Sequence, residues 1–219
     1  MILLLLTFLA FSKASLGDVI CEGEPFETCP RPTLFTTVPV SKTEYDELCP
    51  DLRDYIACLG RLETNCTTKF FTSPEDYTNV LTAFSEFCED GSLLNIIFTE
   101  NLKCLNESLG SDICRVQANA AASTFEDLTS VVTDTEVEIP YIGSPCLYES
   151  FLTACIADEI SKNCGSLVKD ASLEMVQRSY LIQEACSVEE VTNILENGDL
   201  VLLTPSYQQI LDDVLERME

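Results

Sequence analysis

The sequence predicts an all-α fold of two tandem, disulfide-linked helical modules, each of about three to four helices, behind an extended N-terminal arm. Three observations predict this fold: a cysteine spacing that occurs twice, apolar residues that recur at helical intervals behind N-capping motifs, and few strand signals. The expected organisation is a signal peptide at 1–17, an arm at 18–44, module 1 at 45–128, a linker at 129–142 and module 2 at 143–219.

The cysteine spacing repeats within the chain. Four cysteines in the first module read C-x8-C-x7-C-x21-C, and four in the second read C-x8-C-x8-C-x21-C. These eight residues are Cys49, Cys58, Cys66, Cys88, Cys146, Cys155, Cys164 and Cys186. An Asn-Ile pair follows seven residues after the last cysteine of each set, at Asn95 and at Asn193. The self-similarity indicates a tandem duplication.

The remaining four cysteines, Cys21, Cys29, Cys104 and Cys114, lie outside this repeat. The total of twelve is even, which in a secreted chain predicts six disulfide bonds and no spare thiol. A catalytic cysteine is therefore not expected, because it needs a free thiolate beside an activating base.

Helix geometry restricts how these cysteines pair. Disulfide-bonded Cα atoms lie within about 7 Å of each other, whereas residues eight or nine positions apart on one helix are about 12–13 Å apart. An unbroken first helix in each module therefore excludes pairing of Cys58 with Cys66 and of Cys155 with Cys164. We expect every bridge to join a first helix to another element, and some bridges to connect the modules. A kink at Gly60 would relax this restriction.

Apolar stripes and caps predict the helices of module 1. The first helix has Pro50 in its first turn and the stripe Leu52, Tyr55, Ile56, Leu59 and Leu62. Ser73, Pro74, Glu75 and Asp76 begin a second helix with the stripe Tyr77, Val80, Leu81, Phe84 and Phe87. A third follows Gly91 through Leu93, Leu94, Ile97, Phe98, Leu102 and Leu105, and a fourth covers Asp112 to Leu128.

Module 2 repeats this scheme. Pro145 opens a helix with the stripe Leu147, Tyr148, Phe151, Leu152 and Ile156. Asp170 is expected to cap a helix through Leu173, Val176, Tyr180 and Leu181. A capping box from Ser187 to Glu190 precedes Val191, Ile194 and Leu195. Thr204-Pro205 begins the last helix, with the stripe Tyr207, Ile210, Leu211, Val214, Leu215 and Met218.

Composition excludes several classes of function. The chain has 37 acidic and 12 basic residues, a net charge of −25, so neither nucleic acid nor a membrane surface is an expected partner. Histidine is absent, which removes Ser-His-Asp and Cys-His arrangements and histidine zinc sites. No phosphate-binding, dinucleotide-binding or EF-hand motif occurs. We expect a non-enzymatic protein without catalytic, cofactor-binding or metal-binding residues; carboxylate pairs able to hydrolyse glycosides remain a generic alternative.

The N-terminus predicts secretion. Ile2 to Phe11 is apolar except for Thr7, and Ser15-Leu16-Gly17 places small residues where a signal peptidase cleaves. The apolar run is about half the roughly 20 residues that a membrane anchor needs. In an extracellular protein, Asn106-Glu107-Ser108 and Asn65-Cys66-Thr67 are glycosylation sequons, and Asn106 is the better candidate because Asn65 precedes a cysteine expected to be bridged.

The repeated cysteine pattern resembles that of arthropod secreted, cysteine-rich helical proteins of the hemolymph-glycoprotein-like type. The carrying residues are Cys49-Pro50, Cys58-Leu59, Cys66 and Cys88, then Pro145-Cys146, Cys155-Ile156, Cys164 and Cys186. The resemblance covers most of 45–200 and implies an extracellular helical protein of hemolymph, venom or saliva, with no catalytic residues to carry over. Insect odorant-binding and saposin-like proteins are weaker matches, and the C-x3-C spacing of the former is missing. Either would imply lipid binding.

Two functional hypotheses follow. The first is an extracellular carrier of a small apolar ligand, which would require that part of the apolar stripes line a cavity rather than fill a core. The second is an acidic interaction or structural component of a secretion that binds a basic extracellular protein. The sequence gives neither the ligand nor the oligomeric state.

Overall fold

The computed structural model describes residues 29, 32, 38–66, 71, 73–110, 112–129, 145–179, 186–197 and 203–216. Within these residues every regular element is an α-helix, so the predicted all-α class is confirmed. The predicted signal peptide, most of the arm and the linker after Thr129 lie outside the described residues.

The described residues form nine helices. They are α1 (Lys42–Asn65), α2 (Pro74–Cys88), α3 (Leu93–Glu100), α4 (Leu102–Leu109), α5 (Ile113–Thr129), α6 (Pro145–Cys164), α7 (Ser166–Arg178), α8 (Val188–Asn197) and α9 (Pro205–Glu216).

Helix α1 begins earlier than the sequence predicts. Its N-cap is Ser41, whose Oγ accepts a hydrogen bond from the backbone N–H of Glu44 at 3.3 Å. The prediction that Pro50 lies in the first turn is wrong, because Pro50 lies inside the helix. Pro50 is on the exposed face, where water can satisfy the Asp46 carbonyl that the missing N–H leaves without a donor. The predicted stripe from Leu52 to Leu62 is buried throughout.

The third predicted helix is divided into α3 and α4 at Asn101. The backbone of Asn101 leaves the helical region at φ −121° and ψ 14°. Its side-chain amide donates to the Ile97 carbonyl at 2.8 Å, and its backbone N–H donates to Phe98 at 3.1 Å. The prediction of one continuous helix was wrong because an asparagine side chain can replace the backbone donor of a helix.

The predicted start of α7 at Asp170 is also wrong. The N-cap is Gly165, five residues earlier, which has φ +90°. Glycine adopts this conformation without the steric cost that a Cβ imposes, so α6 can end at Cys164 and α7 can turn away directly. Asp170 lies within α7, which ends at Arg178, and Tyr180 and Leu181 fall outside the described residues.

Other predicted helix starts are confirmed. Ser73 and Asp76 exchange side-chain and backbone hydrogen bonds in a capping box at α2. Ser187 and Glu190 do the same at α8, and Thr204 Oγ1 accepts from the Tyr207 backbone N–H at α9. Two predicted core residues are instead exposed: Leu81 has 41% and Leu93 has 71% of its surface accessible.

The packing groups the helices into two units. Helices α1, α2 and α3, here the N-terminal unit, pack in sequence on one another. Helices α4 to α9, here the C-terminal unit, surround α6, which contacts α4, α5, α7, α8 and α9. Helix α5, expected within module 1, therefore packs with the helices of module 2. The units meet where α7 contacts α2 and α3 and where α3 contacts α4.

Disulfide connectivity supports the same grouping. The bridges are Cys29–Cys58, Cys49–Cys88, Cys104–Cys164, Cys114–Cys155 and Cys146–Cys186. Each of the five joins a first helix (α1 or α6) to another element, as predicted, and two of them connect module 1 to module 2. In both α1 and α6 the first cysteine bonds to a cysteine downstream of that helix, and the second cysteine bonds to one upstream of it. Cys104 and Cys114 therefore belong to a second set of six cysteines.

Candidate functional site

A cavity of about 360 Å³ lies where the two units meet. One face of α6 forms its floor, with side chains at intervals of three and four residues, so that they share one side of the helix. The α6 residues that line the cavity are Glu149, Leu152, Thr153, Ile156, Ala157 and Ile160. The wall is almost entirely apolar, and the volume falls within the roughly 300–1,000 Å³ typical of small-molecule pockets.

Both units contribute to the walls. The N-terminal unit supplies four aromatic rings, one from α1, two from α2 and one from α3. They are Tyr45, Phe84, Phe87 and Phe98. Helix α4 adds Leu102, Leu105 and Leu109, and α7 adds Ser172, Leu173, Met175 and Val176. Because the lining comes from distant parts of the chain, the cavity depends on docking of the two units.

Specific contacts hold the aromatic wall in place. Tyr45 donates its hydroxyl to the Phe87 carbonyl at 2.6 Å, and the same carbonyl accepts from Asn95 Nδ2 at 3.1 Å. The Tyr45 and Phe87 ring centroids are 4.7 Å apart, and those of Phe87 and Phe98 are 5.0 Å apart. The Cys49–Cys88 bridge joins α1 to the end of α2 beside these rings. The wall is therefore fixed by covalent, polar and aromatic contacts together.

Few polar groups reach the cavity, and most are already hydrogen-bonded. Ser172 and Ser179 donate their hydroxyls to backbone carbonyls of α7, at Val168 and Val176. Tyr45 is engaged with Phe87. Glu149 and Thr153 have no side-chain hydrogen bond or ion pair with another residue in the described part of the chain, and only Glu149 of the two is ionisable. No lysine or arginine lies among the lining residues that the structure describes.

The environment of Glu149 disfavours its charge. Partial burial beside the apolar wall raises the pKa of this carboxyl above its ordinary value, and desolvation is the cause. Among the described lining residues, Tyr45 is the only other side chain with a titratable group, and burial raises the pKa of its phenol too. The cavity is thus an apolar space with a single unpaired carboxyl group at its lining.

The sequence motifs did not identify Glu149 as a candidate site residue. With 37 acidic residues in the chain, a single glutamate is not distinguishable from the others. Its distinguishing features are the cavity and the lack of a cation, which arise only when the two units dock. The sequence does place Glu149 on the apolar stripe of α6, because Leu152, Ile156 and Ile160 follow it at helical intervals.

The predicted glycosylation residues occupy different environments. Asn65 is exposed at the end of α1, where Nδ2 donates to the Arg61 carbonyl at 2.8 Å, and Cys66 is disulfide-bonded as expected. Asn106 is half-buried on α4, and its Nδ2 donates to the Val38 carbonyl at 3.0 Å. Glycan attachment at either asparagine stays a prediction.

Metal-binding clusters and membrane-spanning helices are absent from the described residues. No group of three or more histidine, cysteine, aspartate or glutamate side chains is arranged to hold a metal ion within those ranges. No helix in the same part of the chain combines the length and the apolar character needed to cross a bilayer.

No protein-family model matches the chain, and no curated protein or solved structure is significantly similar to it. The resemblance to arthropod hemolymph-glycoprotein-like proteins therefore stays a prediction from the cysteine pattern.

Proposed function

We propose that this protein is a secreted, non-enzymatic carrier of a small apolar ligand, bound in the cavity between the two units. The cavity is the observation that carries the proposal. Transfer of a ligand's apolar surface from water to this apolar lining would favour binding by roughly 25 cal/mol per Å². The fixed aromatic wall limits the reorganisation that binding requires.

The disulfide framework and the N-terminal sequence support an extracellular location. Five bridges link the described helices, and bonds of this kind persist in oxidising compartments. The predicted signal peptide at 1–17 agrees with that environment. The resemblance to secreted arthropod proteins of body fluids and secretions is in keeping with a carrier role.

Titration with an uncharged, environment-sensitive naphthyl dye tests the carrier proposal. We expect saturable binding of one dye per protein and at least about tenfold weaker binding to Ser172→Phe, which places a ring inside the cavity. Ser166→Phe is the matched control, because Ser166 is exposed at the start of α7 and does not line the cavity. Circular dichroism and thermal unfolding would establish that both variants fold.

Native mass spectrometry of protein purified from its own secretion would identify the physiological ligand. A reproducible adduct of a few hundred daltons that dissociates on denaturation is the expected result. Absence of both dye binding and an adduct would reject the carrier proposal. Salt-sensitive association with a basic protein would then favour the acidic interaction component, for which the net charge of −25 is the supporting observation.

A further inference from the structure

We infer that the preferred ligand is an apolar molecule bearing one protonated amine, which pairs with Glu149. This inference rests on the proposed carrier function and adds the chemical class of the ligand. It depends on the position of a carboxyl group in an otherwise apolar cavity and on the absence of any basic residue among the described lining side chains.

Charge complementarity favours a cationic ligand. A carboxylate that borders an apolar space without a partner carries a desolvation cost, and a bound cation would offset that cost through a charge-assisted hydrogen bond. The described lining residues include no such cation, and Arg178 at the end of α7 is engaged by Glu86 at 2.7 Å and by Glu174 at 3.8 Å. A cationic ligand would supply the positive charge that the described lining residues lack.

The cavity lining disfavours anionic ligands. A fatty-acid carboxylate in this cavity would meet Glu149 and no lysine or arginine among the lining residues, so its charge would be both desolvated and repelled. The net charge of −25 further disfavours the approach of an anion and favours that of a cation. An uncharged alcohol could donate a hydrogen bond to Glu149 but would not neutralise its charge.

The α6 side of the lining has one polar end and an apolar remainder. Glu149 is the first of the α6 lining residues, and the apolar side chains continue along the same helix to Ile160. Eleven positions along a helix span about 16 Å at 1.5 Å per residue. A ligand with its amine beside Glu149 and its apolar body along α6 would match this distribution of one polar end and an apolar remainder.

Displacement of the naphthyl dye by three probes of equal chain length tests the inference. The probes are dodecylamine, dodecanol and dodecanoate, each used below the concentration at which it forms micelles, at pH 7 and 0.15 M salt to screen surface charge. We expect dodecylamine to displace the dye at concentrations at least about tenfold lower than dodecanol, with dodecanoate the weakest. Equal displacement by all three would overturn the amine preference while leaving the carrier function intact.

The matched variants separate the cavity carboxyl group from the acidic surface. Glu149→Gln should remove the advantage of dodecylamine over dodecanol. Glu100→Gln makes the same change of charge at an exposed residue outside the cavity, so it should retain the advantage. If both variants retain it, the amine binds the general acidic surface and the assignment of Glu149 is wrong. If no dye binds the wild-type protein, the carrier function itself fails.

The pH dependence gives an independent readout. Tyr45 is the other titratable group lining the cavity, and its raised pKa keeps it protonated throughout the acidic range. The pKa of Glu149 is raised by desolvation, so acidification through this pKa would protonate the carboxyl group and weaken amine binding. The advantage of dodecylamine should shrink in acid for wild type and should be absent at every pH for Glu149→Gln. An advantage that is unchanged on acidification would contradict the pairing.

Discussion

Arg178 on α7 donates a hydrogen bond from Nη1 to Oε2 of Glu86 on α2, at 2.7 Å and across 92 positions of sequence. The pair joins the N-terminal unit to the C-terminal unit beside the cavity. Arg178 is the more buried partner, with 21% of its side chain exposed against 41% for Glu86. This hydrogen bond lowers the pKa of Glu86 and is the largest cause of that shift.

Removing this pair should weaken the docking of the two units. We expect Arg178→Met and Glu86→Gln each to lower the free energy of unfolding by about 0.2–1 kcal/mol, because solvent screens a partly exposed pair. The lowered pKa of Glu86 means that the contribution is present above the ordinary carboxyl pKa of about 4.3 and is lost as the pH falls through the folded value. A double-mutant cycle by chemical denaturation at pH 7 and pH 3 measures both effects; additive losses would show that the pair contributes no coupling energy.

Two disulfide bonds span the predicted linker. Cys104–Cys164 and Cys114–Cys155 join α4 and α5 to α6. A protease site inserted between 130 and 142 should therefore give two fragments that stay together in non-reducing electrophoresis and separate after reduction. Replacing all four cysteines with serine should release the fragments without reductant. Release from the parent chain without reductant would contradict this connectivity.

The duplicated connectivity predicts the partner of Cys66. Cys66 is the third cysteine of its first helix and is disulfide-bonded, and its counterpart Cys164 bonds to Cys104, the first cysteine of the second set. By the same order, Cys66 should bond to Cys21, which lies outside the described residues. Peptide mapping of unreduced protein should yield a Cys21–Cys66 peptide, and any other partner for Cys66 would show that the two sets of six are not equivalent.

Gly60 on α1 allows close approach of Tyr77 on α2. A Cβ at position 60 would lie 2.3 Å from the Tyr77 hydroxyl oxygen, so the ring would have to move. We expect Gly60→Ala to destabilise the protein by about 1 kcal/mol, because overpacking costs roughly 1–3 kcal/mol and alanine regains about 1 kcal/mol of helix propensity.

The effect of Gly60→Ala on stability should change sign when the Tyr77 ring is absent. In a Tyr77→Ala background, Gly60→Ala should stabilise the protein by up to about 1 kcal/mol, since only the helix propensity remains. Thermal and denaturant unfolding of the four chains measures the difference. The same effect of Gly60→Ala in both backgrounds would show that Tyr77 does not require a glycine at this position.

Two buried tyrosines predict a loss of stability in alkali. Burial raises the pKa of Tyr45 and Tyr207, and both hydroxyls donate to backbone carbonyls, at Phe87 and Phe151. The unfolded chain loses these protons near pH 10 whereas the folded chain retains them. Stability is therefore fully present below about pH 10 and decreases as the pH rises toward the folded pKa values.

Phenylalanine substitutions test this source of pH dependence. Tyr45→Phe should cost about 0.5–1.5 kcal/mol at pH 7 through the lost hydrogen bond and should reduce the slope of stability against pH above 10. Tyr148→Phe is the matched control, because Tyr148 is half-buried without a hydrogen bond among the described residues. Urea unfolding between pH 8 and 11 provides the measurement, and an unchanged slope in Tyr45→Phe would exclude Tyr45 as its cause.

Local signals predicted most of the helices because their causes are local. Ser73, Ser187 and Thr204 cap the helices that they were expected to cap, since a cap needs only residues within one turn. The errors at Pro50, Asn101 and Asp170 have different causes: an exposed helix face tolerated a proline, a side-chain amide ended a helix, and Gly165 adopted a positive φ. Each of these three features depends on a local backbone conformation, and the residue type makes that conformation possible without requiring it.

The repeated Asn-Ile pair shows how similar sequences acquire different roles. Asn95 is buried and donates to the Phe87 carbonyl beside the cavity, whereas Asn193 is exposed on α8 and accepts from Asn197. The two repeats therefore share helix order and bridge topology but not every side-chain contact. The cavity is lined by both units but is not a symmetric feature of the repeat.

The sequence by itself determined the helical class, most helix starts and the rule that bridges join a first helix to another element. These follow from hydrogen bonding within one turn and from the distance between cysteines along a helix. Only the tertiary structure decided that α5 packs with α6, that Cys104 and Cys114 complete a second set of six, and that an apolar cavity faces Glu149. The physical reason is that packing depends on which apolar faces meet, and the same helical stripe can fill a core or border a cavity.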